Sequence, residues 1–201
     1  MIAVLTGTGL SAAAGFNAYI PFLVVALIGR FTDLVVLPQP YLWMESWWAI
    51  GIGAVLLLTE VVLDKIPGVD SVNDAVQTVI RPAMGGVVFA ATSAASQLDS
   101  SAWMHEHPWV GVLLGIVVSA IVHSGKAVAR PAINAGTMGF GAPVVSTLED
   151  TAAVGLSLVA LFLPLFVIVA LVVIAVLLWR VWASMRRWRR SRELPRAPAR
   201  S

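Results

Sequence analysis

Hydrophobic positions fall in long blocks parted by short polar, Gly- or Pro-rich breaks, and no stretch alternates with the period of two expected of a strand. Blocks near 20 residues match what a helix needs to cross a bilayer. The first, residues 10–29, is interrupted in its first half by Gly15, Asn17 and Pro21. A loop with Pro38, Pro40 and an aromatic cluster leads to a second block at 48–63, closed by Asp64 and Lys65. Residues 66–80 are too polar to cross. Ser71 with Asp74 resembles a capping box, and Val69, Val72, Val76 and Val79 recur at helical spacing, which predicts an amphipathic helix lying at the interface. Arg81 and Pro82 then open a third block at 82–98, in which Gly86, Ala90 and Ala94 form a stripe that admits a close neighbour. A fourth, 109–123, carries Gly111, Gly115, Ser119 and His123 on one face. The fifth, 130–147, has three glycines and two prolines and reads as a broken helix. Glu149 and Asp150 precede a sixth, 152–179, with Pro164 as its kink.

The pattern therefore predicts an all-α polytopic membrane bundle of about six spans, with broken helices in spans one and five. Composition agrees: 59% of the 201 residues are hydrophobic and 12% are charged, half the usual share for a soluble domain. That excludes a soluble globular enzyme, a disordered chain and a coiled coil. The absence of cysteine excludes disulfides and thiolate chemistry. Ala12 to Ala14 resemble a signal cleavage site, but no positive charge precedes Arg30 and the apolar run continues, so this segment is read as a retained span.

Charge sets the orientation. From Arg180 onward there are eight Lys/Arg and a single acid, Glu193. The expected division is a transmembrane domain over 1–179 and a basic, disordered cytoplasmic tail over 180–201, drawn to anionic lipid rather than to nucleic acid. Six spans with that tail inside place both termini in the cytoplasm. Twelve of the thirteen Lys/Arg then fall inside, with Arg30 outside. Trp43, Trp47, Trp48, Trp103 and Trp109 mark the outer interface, and Trp179, Trp182 and Trp188 the inner one.

An internal hairpin repeat is suggested by Arg81-Pro82-Ala83 and Arg130-Pro131-Ala132, each opening a small-residue span with a lysine (Lys65, Lys126) upstream. Residues 14–21 also match 134–143 faintly, and paired Gly/Pro-broken segments point to a transport site.

Several motifs in order resemble one family. They are residues 9–21 (GLSAAAGFNAYIP), 64–70 (DKIPGVD), 80–82 (IRP), His123 with Lys126 and Arg130, then Ser146, Glu149-Asp150 and Gly155-Leu156. Together they are similar to the bacterial integral membrane family known as domain of unknown function 4126, with a departure at 136–143 (GTMGFGAP). The resemblance implies membrane topology and no particular activity.

Candidate chemistry rests on the few charges near the spans, each of which costs about 2.5–3.5 kcal/mol at a bilayer centre. Glu60, inside an apolar run, is either a coupling carboxylate or half of an ion pair with Lys65, Lys126 or Arg130. His123, Lys126, Arg130 and Asn134 crowd a turn between spans four and five. Lys126, Arg130 and Asn134 read either as an anion-attracting face at a helix N-terminus or as positive-inside anchors, and His123 as an interfacial or hydrogen-bonded histidine. Asn17 lines a cavity in the broken span or bonds between helices. Glu149 and Asp150 suit the N-terminus of span six as capping groups. His105-Glu106-His107 is a weak metal motif with no further ligand near it, and no catalytic or nucleotide fingerprint is present, so neither a metal nor a cofactor is expected. The leading expectation is a small transporter or channel-like permease using Asn17, Glu60, His123, Lys126, Arg130 and Asn134. The rival is a non-transporting accessory or scaffold subunit of a larger complex, packed through its small-residue stripes. A homo-oligomer suits the first and a larger assembly the second.

Overall fold

The computed structural model describes residues 1–66, 69–93, 106–137 and 141–193, which contain helices and no strand. In chain order these are α1 (Ile2–Phe16), α2 (Tyr19–Phe31), a 3-10 helix (Gln39–Glu45), α3 (Trp47–Leu63), α4 (Val69–Ser93), α5 (Pro108–Thr137), α6 (Ala142–Phe162) and α7 (Phe166–Glu193). The Pro108–Arg130 part of α5 and all of α6 are long and apolar enough to cross a membrane. The 3-10 helix with α3, bent by 60°, makes a third such unit. Helices α1, α2 and the Phe166–Arg180 part of α7 are apolar but shorter.

Helix α1 owes its place to small side chains. Ten of its fifteen residues are buried, nearly all Gly, Ala, Ser or Thr, so α4, α5, α6 and α7 close around its backbone. Gly9 lies against Ala160 and Val167, and Gly15 against Val122 and the Ser119 carbonyl; a Cβ on Gly15 would meet that oxygen at 2.7 Å. The chain breaks at Asn17, which is extended (φ −147°), and resumes as α2.

Helices α4 and α5 pack antiparallel and close. Gly85 faces Gly115 and Ser119, Gly86 faces Val112 and Ile116, and Gly111 faces Ala90 and Ser93. Gly86, Ala90, Gly111, Gly115 and Ser119 thus meet along one seam, while Ala94 lies outside the described residues.

The helix boundaries correct several expectations. Arg81-Pro82 opens no helix: α4 runs through it, so the supposed interfacial helix and span three are one element of 25 residues. Asp74 is inside α4, which begins at Val69, and is not part of a cap at its start. Arg130-Pro131 likewise falls within the 30-residue α5, so there is no turn at His123 to Arg130 and no helix N-terminus at Arg130. With neither Arg-Pro pair opening a helix, the hairpin repeat loses its structural basis. Spans five and six are also repartitioned. A single helix, α6, covers 142–162, and Leu163 to Leu165 separate it from α7. That places Glu149 and Asp150 in mid-helix, with no acid in the first turn, so they are not capping groups. The basic segment is helical as far as Glu193.

An interior proline costs a helix about 3 kcal/mol and a ladder hydrogen bond. Near Pro82, serines of neighbouring helices tie α4 to α5 and α1: Ser119 Oγ donates to the Arg81 carbonyl at 2.8 Å, and Ser11 Oγ lies 2.8 Å from both the Gly85 and the Gly7 carbonyls.

Amphipathicity is inverted. On α4 the valines at 69, 72, 76 and 79 are exposed, whereas Asn73, Asp74, Gln77 and Arg81 are buried. On α5, Leu113, Leu114, Val117, Ile121 and Val128 are exposed, and Ser119, His123, Lys126 and Arg130 are buried.

Candidate functional site: a buried ion network

The inverted faces of α4 and α5 meet the end of α3 and the middle of α6, and the buried polar side chains converge there. On α4, Asp74, Gln77 and Arg81 are spaced three and four apart and share a face; on α5, Ser119, His123, Lys126 and Arg130 do the same. Helix α3 adds Glu60 and, just past its end, Asp64. Helix α6 adds Glu149.

Arg81 is fully buried at the centre. Its Nη2 donates to Glu60 Oε1 at 2.6 Å and lies 3.7 Å from Asp64 Oδ2, while Nη1 lies 3.5 Å from Asp74 Oδ1. Arg130 donates to Asp64 Oδ2 at 2.8 Å and to Glu149 Oε2 at 2.6 Å, and its Nε lies 3.3 Å from Asp74 Oδ2. Lys126 sits 3.0 Å from Glu149, 3.4 Å from Asp64 and 3.6 Å from Asp74. Its ammonium also donates to the Phe16 carbonyl at 3.2 Å, where a cation suits the C-terminus of α1. Asp64 takes a further bond from Asn73 at 2.8 Å. Burial alone would raise the Asp64 carboxyl, but the charges of Lys126 and Arg130 and the bonds from Arg130 and Asn73 outweigh it and hold the group at about 2.

The tautomer of His123 follows from donor counting. Arginine only donates, so Nδ1, 3.2 Å from Arg81 Nη1, is the acceptor. The Thr78 hydroxyl commits its proton to the Asp74 carbonyl at 2.9 Å, so Nε2, 3.0 Å from that hydroxyl, carries the hydrogen. His123 is therefore neutral in this arrangement.

Asn17 joins the network at its edge. Its Oδ1 accepts from the Tyr19 and Ile20 amides at 3.0 and 3.2 Å, which starts α2, and its Nδ2 donates to Asp150 at 3.0 Å. Asp150 also lies 3.7 Å from Lys65.

Asn17, Glu60, His123, Lys126 and Arg130, five of the six residues proposed as pathway groups, thus gather in one region, and the side chain of Asn134 lies outside the described residues. Glu60 pairs with Arg81, not with the three cations weighed for it. Lys126 and Arg130 are neither an open anion-attracting face nor interfacial anchors, because carboxylates occupy them. Sequence reasoning missed Arg81, Asp74 and Gln77 as members. Their signal was a polar stripe on α4 with the same period as the valines and the opposite face.

Two grooves among the described residues are apolar. A groove of about 550 Å³ between α6 and α7 is apolar, with Leu148, Leu156, Ala170 and Val173 among its walls and Glu149 as its charged lining residue. A smaller one of about 130 Å³ lies among Phe22, Trp43, Trp48 and Ile52. Among the described residues no three His, Asp or Glu side chains gather to hold a metal ion; His105 of the metal motif lies outside them.

Over residues 4–184 the chain matches the model of a domain of unknown function, DUF4126. It belongs to that family. No curated protein and no solved structure matches it.

Proposed function

We infer that this DUF4126 protein is a multi-pass protein of the bacterial inner membrane that acts as a small permease for an ion or small solute, with the buried ion network as its working site. The carrying observation is the inversion of α4 and α5, which turn valines and leucines outward and five ionised or ionisable side chains (Asp74, Arg81, His123, Lys126 and Arg130) inward. Outward apolar faces suit lipid as solvent, and intramembrane charges mark ion or substrate pathways. With α1 and α2 as one broken pass, the proposed topology has six passes, both termini on the cytoplasmic side with the basic C-terminal segment, and the network toward the inner half of the membrane. The break at Asn17, adjoining the network, supplies the irregular backbone that transport sites use.

Proteoliposome flux tests this reading. Wild type is expected to carry an anion, cation or proton flux that Glu60→Gln/Arg130→Gln lacks, and equal flux in the two across all three classes defeats it.

A second reading, an accessory or scaffold subunit of a larger complex, is favoured by the packing itself, since neither apolar groove offers a polar route to the network. Co-purification of a stoichiometric partner, lost on Gly111→Leu/Gly115→Leu, supports that reading over the first.

A further inference from the structure

Among the described side chains four acids (Glu60, Asp64, Asp74, Glu149) face three bases (Arg81, Lys126, Arg130), and the neutral tautomer of His123 adds nothing. Adding the half-exposed Lys65–Asp150 pair leaves the count unchanged. Glu60 Oε2, Asp74 Oδ1 and Gln77 Oε1 are buried oxygens with no hydrogen-bond donor, and Glu60 and Gln77 are each only 2% exposed. The Arg81 Nε donor is likewise buried without an acceptor.

The excess acid and the unmatched Glu60 Oε2 are both answered by one proton on a carboxylate. The four carboxylates are not equivalent recipients. Asp64 has Arg81, Lys126 and Arg130 within 4 Å, and so does Asp74. Glu149 has Lys126 and Arg130. Glu60 has Arg81 alone, on Oε1, and its Oε2 faces no cation. The other charged or titratable groups around it are Asp64 on its own chain segment, Asp74 from α4, Lys126 and His123 from α5, and the Tyr19 hydroxyl of α2, which lies within reach of Gln77.

We propose that the network holds one proton as a bound ligand at neutral pH, carried on Oε2 of Glu60. The proton turns an unmatched acceptor into a donor, leaves Oε1 to accept from Arg81, and brings the buried charge to zero. Its use as a coupling ion rests on the permease reading; its presence does not.

Infrared spectroscopy of the full chain in lipid nanodiscs tests this directly, because solvent-exposed carboxyls are ionised at pH 7 and silent in the protonated-acid region. The expected result is a carboxylic-acid carbonyl band at pH 7 that shifts with 13C-Glu labelling and not with 13C-Asp, and that Glu60→Gln abolishes. Asp74→Asn, which leaves Glu60 in place but equalises acids and bases, is expected to abolish it too, an effect a purely structural Glu60 would not show. Circular dichroism checks that both variants remain helical, and the labelling result in wild type stands if either does not fold. A wild type with no such band, or one that follows the Asp label, overturns the assignment. So does a band present in choline buffer and removed by sodium chloride, which would make the occupant an alkali cation. A proton band without flux in proteoliposomes removes the permease reading and leaves the bound proton standing.

Discussion

Replacing Arg81 by Met tests whether the network is held by its central cation. The side chain is wholly buried and engages Glu60 at 2.6 Å, His123 at 3.2 Å, Asp74 at 3.5 Å and Asp64 at 3.7 Å. Met fills much of the volume without the charge, so the cavity term is small and the loss is electrostatic. Four buried acids would face two bases, Glu60 would lose its one cation, and His123 Nδ1 its donor. Breaking a buried ion pair from one side costs about 3–5 kcal/mol, a large part of the 5–15 kcal/mol typical of a folded domain. Adding Glu60→Gln to Arg81→Met removes the stranded carboxyl and is expected to recover about 1–3 kcal/mol, within the range of coupling between contacting residues. Unfolding in mixed micelles by increasing SDS, followed through the eight tryptophans and by helical circular dichroism, gives the four corners of the cycle. An Arg81→Met protein within about 1 kcal/mol of wild type, below the cost of breaking a buried pair, refutes the central role. A double variant as unstable as the sum of the single ones refutes the coupling.

Four further outcomes are expected. Gly115→Ala drives a Cβ into the Gly85 carbonyl and to 2.8 Å from Phe89 Cβ, backbone against backbone, and should cost about 3 kcal/mol as overpacking. Gly155→Ala, with nothing within 4 Å of the new Cβ, should instead gain up to about 1 kcal/mol from helix propensity, both read by thermal unfolding. Asn17→Ala removes the two amide bonds that start α2 and the Asp150 contact; a loss of about 1–2 kcal/mol is expected, as for other caps, with faster hydrogen exchange at Tyr19 and Ile20. Asp64, held at about 2 against an ordinary 3.8, contributes about 2 kcal/mol above pH 4 that disappears as the pH falls through 2. Asp64→Asn should flatten that acid limb of the stability profile, and an unchanged limb counts against the assignment.

Much of the helical content was legible because apolar blocks bounded by Gly, Pro and charge translate directly into helices. The interruption of the first block at Gly15, Asn17 and Pro21 corresponds to the α1–α2 break, and the gap around Pro164 to the α6–α7 break. The small residues at 86, 90, 111, 115 and 119 lie on the α4–α5 seam, where their spacing of four pointed. Boundaries at Arg81 and Arg130 were misplaced for a shared reason. A charge beside a proline reads as the wet end of a span when each residue is weighed alone, but here the cation is neutralised by carboxylates from other helices. The helix then has no cause to stop at the cation, and it continues through the proline.

The same physics explains why the site had to be assembled from the structure. Glu60, His123, Lys126 and Arg130 each stood out in the sequence as a charge too close to an apolar run. Their partners Arg81 and Asp74 did not, because a capping box and a helix start accounted for them locally. The decisive pattern was relational: on α4 the polar stripe at 73, 74, 77 and 81 and the valine stripe at 69, 72, 76 and 79 have one period and opposite faces. Periodicity alone cannot say which face turns inward. In water the valines would be buried, and in lipid the charges are, provided that enough opposite charges wait on the facing helices. Helix α5 supplies cations, while α3 and α6 supply acids, and this complementarity decides the sense of the inversion. The count is one charge from balance, and the imbalance falls on Glu60, the carboxylate with the fewest cationic partners. A scaffold selected only to pack has no need of that residual charge, since a glutamine at position 60 would keep the hydrogen bond from Arg81 and remove the deficit.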